Sequence, residues 1–250
     1  MSTEHDWTGL DKEMYLKSIA KFLTSDHEFN NFKQDRDYQA ILEHLGDRDG
    51  AAIYNMIGKK SLVAICAAVN DVVGNPTLRN DIQVSNSTIR YCWFFEKILL
   101  KIANIYNVKS ICEIGAGYGG LISILGTYLI HAKVLSVVDL ELPSKLQEKY
   151  MSMIGLSVLR QDFPENIIDQ SYDLVVATYS LSELSKNAQD AYLDKVLSKS
   201  KNGFLAYNPH CYTVQEFVEK LRAYGIQANV EEDCMTGLGW PEHRIIYWNE

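Results

Sequence analysis

The segment SICEIGAGYGGLISILG, residues 110–126, constrains the fold of this chain more than any other. An apolar strand-like run ends in a cluster of glycines, and an apolar helix-like run starts directly after it. Gly115, Gly117 and Gly120 fit G-x-G-x-x-G, and Gly119 adds a fourth glycine. Glycine lets the backbone turn tightly and approach a ligand with no Cβ in the way. A strand–turn–helix of this kind opens a βαβ unit, whose ligands sit beyond the carboxyl ends of the strands. Asp139 ends the next strand-like run, KVLSVVDL, about 20 residues on, where a ribose-binding acid belongs. The plainer alternative is that these glycines serve helix–strand packing, with Glu113 and Asp139 as solvated strand ends.

From Lys109 onward, short β-rich runs alternate with helical patterns. SICEIG, KVLSVVDL, LSVLRQD, YDLVVATYS, GFLAYN, IQANVEE and HRIIYWN read as seven strands. Helical patterns follow the first, second, fourth and fifth of them; none lies between the last two, where a hairpin-like antiparallel ending is expected. This is the α/β class: a doubly wound, seven-stranded, mostly parallel sheet with an antiparallel last strand. Residues 1–106 read instead as helices, an N-terminal cap on a core spanning 107–250. In that cap, YQAILEHL is expected to end at Gly46 as a C-cap, and the Ala-rich run from Ala51 to Val73 stops at Gly74–Pro76. Ser/Asn caps precede a long apolar helix in SNSTIRYCWFFEKILLKIANIY.

The formal net charge is −8, from 32 acidic against 24 basic residues, which argues against a nucleic-acid partner. Five cysteines with no C-x-x-C fit neither a disulfide framework nor a zinc knuckle, and suit a reducing, cytoplasmic setting. No apolar stretch is long enough to span a bilayer.

The glycine loop leaves open which nucleotide it holds. Against NAD stand the position of the loop well inside the chain, the 130 residues after Gly120, the antiparallel last strand and Glu113. A carboxylate beside the loop suits a cationic or zwitterionic ligand better than a pyrophosphate. S-adenosylmethionine has a sulfonium and an ammonium and no phosphate.

EIGAGYGG resembles motif I of the class I S-adenosylmethionine-dependent methyltransferases, E/D-x-G-x-G-x-G, with Glu113, Gly115, Gly117 and Gly119 at its four positions. VVDL resembles their acidic ribose motif, through Asp139 and Leu140. RQDF resembles the loop after their third strand, which implies Asp162 facing the adenine amino group and Phe163 flanking the ring. From Gly74 to Asn208 the chain is further similar to the putative bacterial sugar O-methyltransferases, in SNSTIRY, VVDLELPSKLQEKYM and SYDLVVATYSLSELSKNAQDAYLDKVL. The resemblance implies S-adenosylmethionine as cofactor and a hydroxyl of a sugar, nucleotide-sugar or capsule-polysaccharide precursor as acceptor.

Methyl transfer to a hydroxyl needs alignment and a base. Candidates lie at the carboxyl edge of the sheet: Thr178, Tyr179, Ser180 and Glu183 after the fourth strand, Asn208 and His210 after the fifth, and Glu242 and His243 before the last. Histidine titrates near working pH, so His210 is the first choice as base, with His243 second. Glu183 either orients the base, binds a sugar hydroxyl, or caps the helix that begins near Lys186. Thr178 and Tyr118 are placed with the cofactor, Tyr118 at its methionine end. Arg90, Tyr91, Tyr179, Ser180 and Asn208 are placed with the acceptor, although Tyr91, Phe94 and Phe95 also read as core packing. No acid cluster calls for a metal. The N-terminal helices are expected to form a lid, a homodimer surface or both. Other readings keep the cofactor but change the acceptor to a phosphorylated, phosphoramidate-type or amine compound. Others again are an NAD-dependent oxidoreductase or an inactive cofactor-binding subunit.

Overall fold

A computed structural model describes residues 12–42, 45–162 and 171–250. Seven strands form one sheet in the order β3-β2-β1-β4-β5-β7-β6. They are β1 (Ser110–Ile114), β2 (Val134–Asp139), β3 (Leu159–Asp162), β4 (Tyr172–Thr178), β5 (Ser200–Tyr207), β6 (Asn229–Glu232) and β7 (Arg244–Trp248). β7 runs antiparallel to both of its neighbours, and the pairs from β3 to β5 are parallel. The strand order reverses direction between β1 and β4, so their carboxyl ends diverge and leave a crevice.

Both faces of the central strands are covered, which is why β2 and β4 read as nearly unbroken apolar runs. Side chains alternate between two cores. Ile111, Val137, Leu174, Val176 and Phe204 face the N-terminal helices together with α7 (Gly120–Tyr128) and α8 (Glu141–Met153). Cys112, Val138, Val175, Ala177 and Leu205 face α9 (Lys186–Lys195) and α10 (Val214–Ala223). On this second face Trp248 of β7 crosses Gly203 of β5. A Cβ on Gly203 would lie 2.1 Å from the indole, so only glycine admits the ring.

The N-terminal region comprises α1 (Lys12–Phe22), α2 (Asp26–Asn30), α3 (Arg36–Leu42), α4 (Asp47–Met56), α5 (Ser61–Asn70) and α6 (Asn86–Lys101). The Ala-rich run is two helices, not one, broken at Gly58–Lys60. There the Glu96 carboxylate of α6 accepts the amide N–H groups of Gly58 (2.9 Å) and Lys59 (2.5 Å). Gly46 is the N-cap of α4, in extended backbone (φ −74°) rather than the left-handed conformation of a C-cap glycine. Ser85 caps α6 as expected, its Oγ accepting from the Thr88 amide. Ser87 to Glu96 are all buried, because α6 lies between the other helices and the sheet rather than on the surface.

This packing relocates Tyr118. Its place inside the glycine loop points to the methionine end of the ligand; it is instead core, 1 % exposed, pointing into the helical cap. Its hydroxyl accepts from Asn70 Nδ2 at 2.8 Å, and Tyr150 donates to Asn70 Oδ1 at 3.0 Å. The buried Lys33 ammonium lies 4.3 Å from the Tyr118 ring centroid and donates to the Asn70 carbonyl. A turn residue beside glycines can face either way, and here an aromatic cage with a cation to enclose decides the direction. No helix among the described residues is long and apolar enough to cross a membrane.

Candidate active site

β1 passes into α7 through a turn in which Gly115 (φ 63°), Gly117 (φ 59°) and Gly119 (φ 94°) all occupy the left-handed region. Gly115 is doubly constrained. A Cβ there would come within 2.3 Å of the Ser180 Cβ, and Ser180 Oγ donates to the carbonyl of Ile114. The turns after β1 and β4 are thereby locked edge to edge.

Glu113 lies below this turn, 1 % exposed, and lines neither of the two cavities described below. Its Oε2 accepts the amide N–H of Ile122, in the first turn of α7, at 2.9 Å. Burial raises its pKa to about 8, against the opposing effect of that N–H and with help from the charge of Asp139. Gly119, too, stands away from the cavity, behind the turn against Gln147 and Met151.

Above the turn opens a cavity at the carboxyl ends of β1, β2 and β4. Gly115, Ala116 and Gly117 form one wall, Asp139 and Leu140 another, and Thr178, Tyr179 and Ser180 a third. Ile41, Leu42, Arg90 and Tyr91 close it from the helical cap. Asp139 is held by Gln147 Nε2 (2.7 Å) and the Leu140 amide (2.7 Å), while Gln147 also donates to the Gly117 carbonyl (3.0 Å). The acid at the end of β2 is thus tied to the glycine turn. Asp162 ends β3 in register with Asp139. Phe163 lies outside the described residues.

A second cavity adjoins the first and shares Arg90, Tyr179 and Glu183 with it. Asn208, His210, Trp240 and His243 line the rest. Tyr179 forms the partition. Its backbone is held at φ 68°, its hydroxyl lies 3.0 Å from both carboxylate oxygens of Asp233, and its ring packs on Phe94 and His243. Burial, reinforced by the Asp233 charge, pushes the Tyr179 phenol pKa well up, so it stays a donor.

Glu183 does not cap α9; Ser185 does, accepting from the Ala188 amide. Glu183 Oε1 instead accepts from Asn208 Nδ2 at 3.3 Å. That same Nδ2 lies 3.1 Å from Nε2 of the exposed His210. His243 is half-buried between the rings of Tyr179 and Trp240, and its Nδ1 has no hydrogen-bond partner among the described residues. Burial lowers its pKa, outweighing the opposite pull of Asp233, so the ring is neutral at neutral pH. The glycine turn, Asp139 and the loops after β4 and β5 therefore converge, as their spacing implied. Tyr15, Ile41, Leu42, Asp233 and Trp240 join them without any local signal.

No protein-family model and no curated protein matches the sequence. Among solved structures, an O-methyltransferase family protein from Burkholderia thailandensis aligns over 66 % of this chain and 60 % of its own, with TM-score 0.50 and 8 % identity. The pyocyanin biosynthetic protein PhzM aligns over 65 % of this chain and 55 % of its own (TM-score 0.49, 14 % identity). PigF with SAH aligns over 63 % and 61 % (TM-score 0.48, 13 % identity). The chain thus spans less than two thirds of the length of each of these proteins. The Burkholderia likeness is one of fold: the class I methyltransferase sheet, Rossmann-like with β7 antiparallel.

Proposed function

We propose that this chain is an S-adenosylmethionine-dependent O-methyltransferase acting on a hydroxyl of a sugar, nucleotide-sugar or polysaccharide precursor. The observation that carries this reading is the Glu113–Ile122 contact. A dinucleotide places its pyrophosphate on the free N–H groups at the start of the helix after β1. Here the protein's own buried acid already takes one of them, 2.9 Å away. A ligand without phosphates, contacting the glycine backbone and Asp139, fits what is left.

The residues suit the cofactor by their chemistry. Gly115–Gly117 present a wall with almost no side-chain bulk, Asp139 offers carboxylate lone pairs to a ribose diol, and Leu140 and Leu184 add apolar surface for a base. When bound, the cofactor supplies a methyl group already activated on its sulfonium. The chain must align the acceptor and take its proton. The second cavity is where the acceptor belongs. Trp240, 53 % exposed, offers a flat apolar face for a sugar ring, and Asn208 and Glu183 offer hydrogen bonds to its hydroxyls. Of the two histidines, His243 is favoured as base: it is neutral, partly shielded from water and in contact with the partition Tyr179. His210 is more exposed.

Calorimetric titration with S-adenosylhomocysteine and with NADH tests the reading. Binding of the first alone is expected. NADH binding, or no heat with S-adenosylhomocysteine, overturns it.

A further inference from the structure

We infer that Arg90 is an anion-binding side chain, and that the acceptor carries a phosphate or carboxylate close to the hydroxyl that receives the methyl group. This rests on the reading of the two cavities given above. Arg90 sits within α6, 6 % exposed, and lines both cavities. Its Nη2 donates to the Leu42 carbonyl at 3.1 Å, and its Nε is buried with no acceptor. Among the described residues no carboxylate pairs with it. Asp233 and Glu183, the carboxylates around the partition, are engaged elsewhere. Asp233 takes the Tyr179 hydroxyl and the Met235 amide, and Glu183 takes the Asn208 amide.

A guanidinium cannot shed its proton on burial, so buried arginines are normally paired. Besides the Leu42 carbonyl, Arg90 has the Tyr179 ring, whose centroid is 5.9 Å from its Cζ. Tyr179 itself is held in a left-handed backbone conformation, a strain that collects at ligand-contacting positions. An oxyanion at the junction of the cavities would give this charge the anionic partner that no described residue supplies, and the planar fork of arginine suits the two oxygens of such a group. The anion of the acceptor would then anchor one end of the molecule, with the hydroxyl to be methylated near Tyr179 and His243.

The test is inorganic phosphate titrated calorimetrically into the protein, first alone and then saturated with S-adenosylhomocysteine. The expected result is one phosphate per chain in both states, with affinity unchanged within about twofold by the cofactor product, and weakened about tenfold or more in Arg90→Gln. Arg90→Lys, which keeps a cation at the site, should fall between them. Absence of phosphate binding to the wild type overturns the inference, as does an Arg90→Gln protein that binds phosphate normally. Should Arg90→Gln not fold, the wild-type competition decides. Phosphate displaced by S-adenosylhomocysteine would mean that Arg90 holds the cofactor's carboxylate, and this too refutes the inference. A wild type that binds phosphate through Arg90 but not S-adenosylhomocysteine would sink the cofactor reading alone.

Discussion

Glu113→Gln separates what the buried acid does as a hydrogen-bond acceptor from what it does as a titrating group. The amide keeps a carbonyl oxygen for the Ile122 N–H and removes the proton equilibrium. Burial, the main cause, raises the Glu113 pKa from an ordinary 4.5 to about 8. Between those values the folded protein holds a proton that the unfolded chain has released. Stability contributed by this group is therefore full below 4.5, falls as pH rises, and levels off above about 8. From pH 6 to pH 9 the loss is about 3 kcal/mol, a slope of roughly 1.4 kcal/mol per pH unit that fades out as pH passes 8. For a chain of this size, that corresponds to about 5–10 °C in Tm. Differential scanning calorimetry across pH 6 to 9 should show the wild type losing that much more than Glu113→Gln. The lowered pKa of His243 does not interfere, since its stability contribution is lost only as pH falls below about 6.5. If the two proteins lose Tm in parallel, Glu113 is already ionised at neutral pH, and the idea that it caps α7 as a neutral acid is wrong.

Gly115→Ala combines a left-handed backbone with a Cβ 2.3 Å from that of Ser180, and should cost about 3 kcal/mol in thermal or chemical unfolding. Adding Ser180→Gly should recover part of it; no recovery would mean that the clash is not the cause. Asp139→Ala should weaken S-adenosylhomocysteine binding by roughly 10- to 100-fold, the value of a hydrogen bond to a charged acceptor, read by calorimetry. Once an acceptor is in hand, kcat/KM should fall on the acid side with an apparent pKa below 6.5, and His243→Gln should remove that limb and lower kcat by about 10²-fold or more. A profile altered by His210→Ala and untouched by His243→Gln would move the base to the β5 loop.

Much of the frame was legible because periodicity and turn chemistry are local. Apolar runs alternating with helical patterns, glycines between β1 and α7, and an acid at the end of β2 need no partner to be recognised. The missing strand-to-strand helix before HRIIYWN was enough to indicate the antiparallel β7. What could not be read was direction and distance. Glu113 and Tyr118 flank the same glycines, yet one turns beneath the helix and the other into the cap. Gly46 caps the start of α4, a role its sequence context does not separate from a C-cap, because a glycine between two helical runs suits either. Leu42 and Tyr15 reach the cavity from the far end of the chain through packing that no spacing rule encodes. Arg90 was visible as a charge near aromatics; its burial without a described carboxylate partner was not, since Ser87–Glu96 of α6 are enclosed by tertiary contacts.

The position of β7 has a consequence for biosynthesis. It fills the slot between β5 and β6, yet it is made after both of them. Until it arrives, β5 offers a growing polypeptide an open, apolar hydrogen-bonding edge, and β6 has nothing to pair with. Such an edge recruits strands from other molecules. The nascent protein is therefore most prone to aggregate just before Arg244–Trp248 emerges, and damage to that short strand should show up as inclusion bodies sooner than as weakened ligand binding.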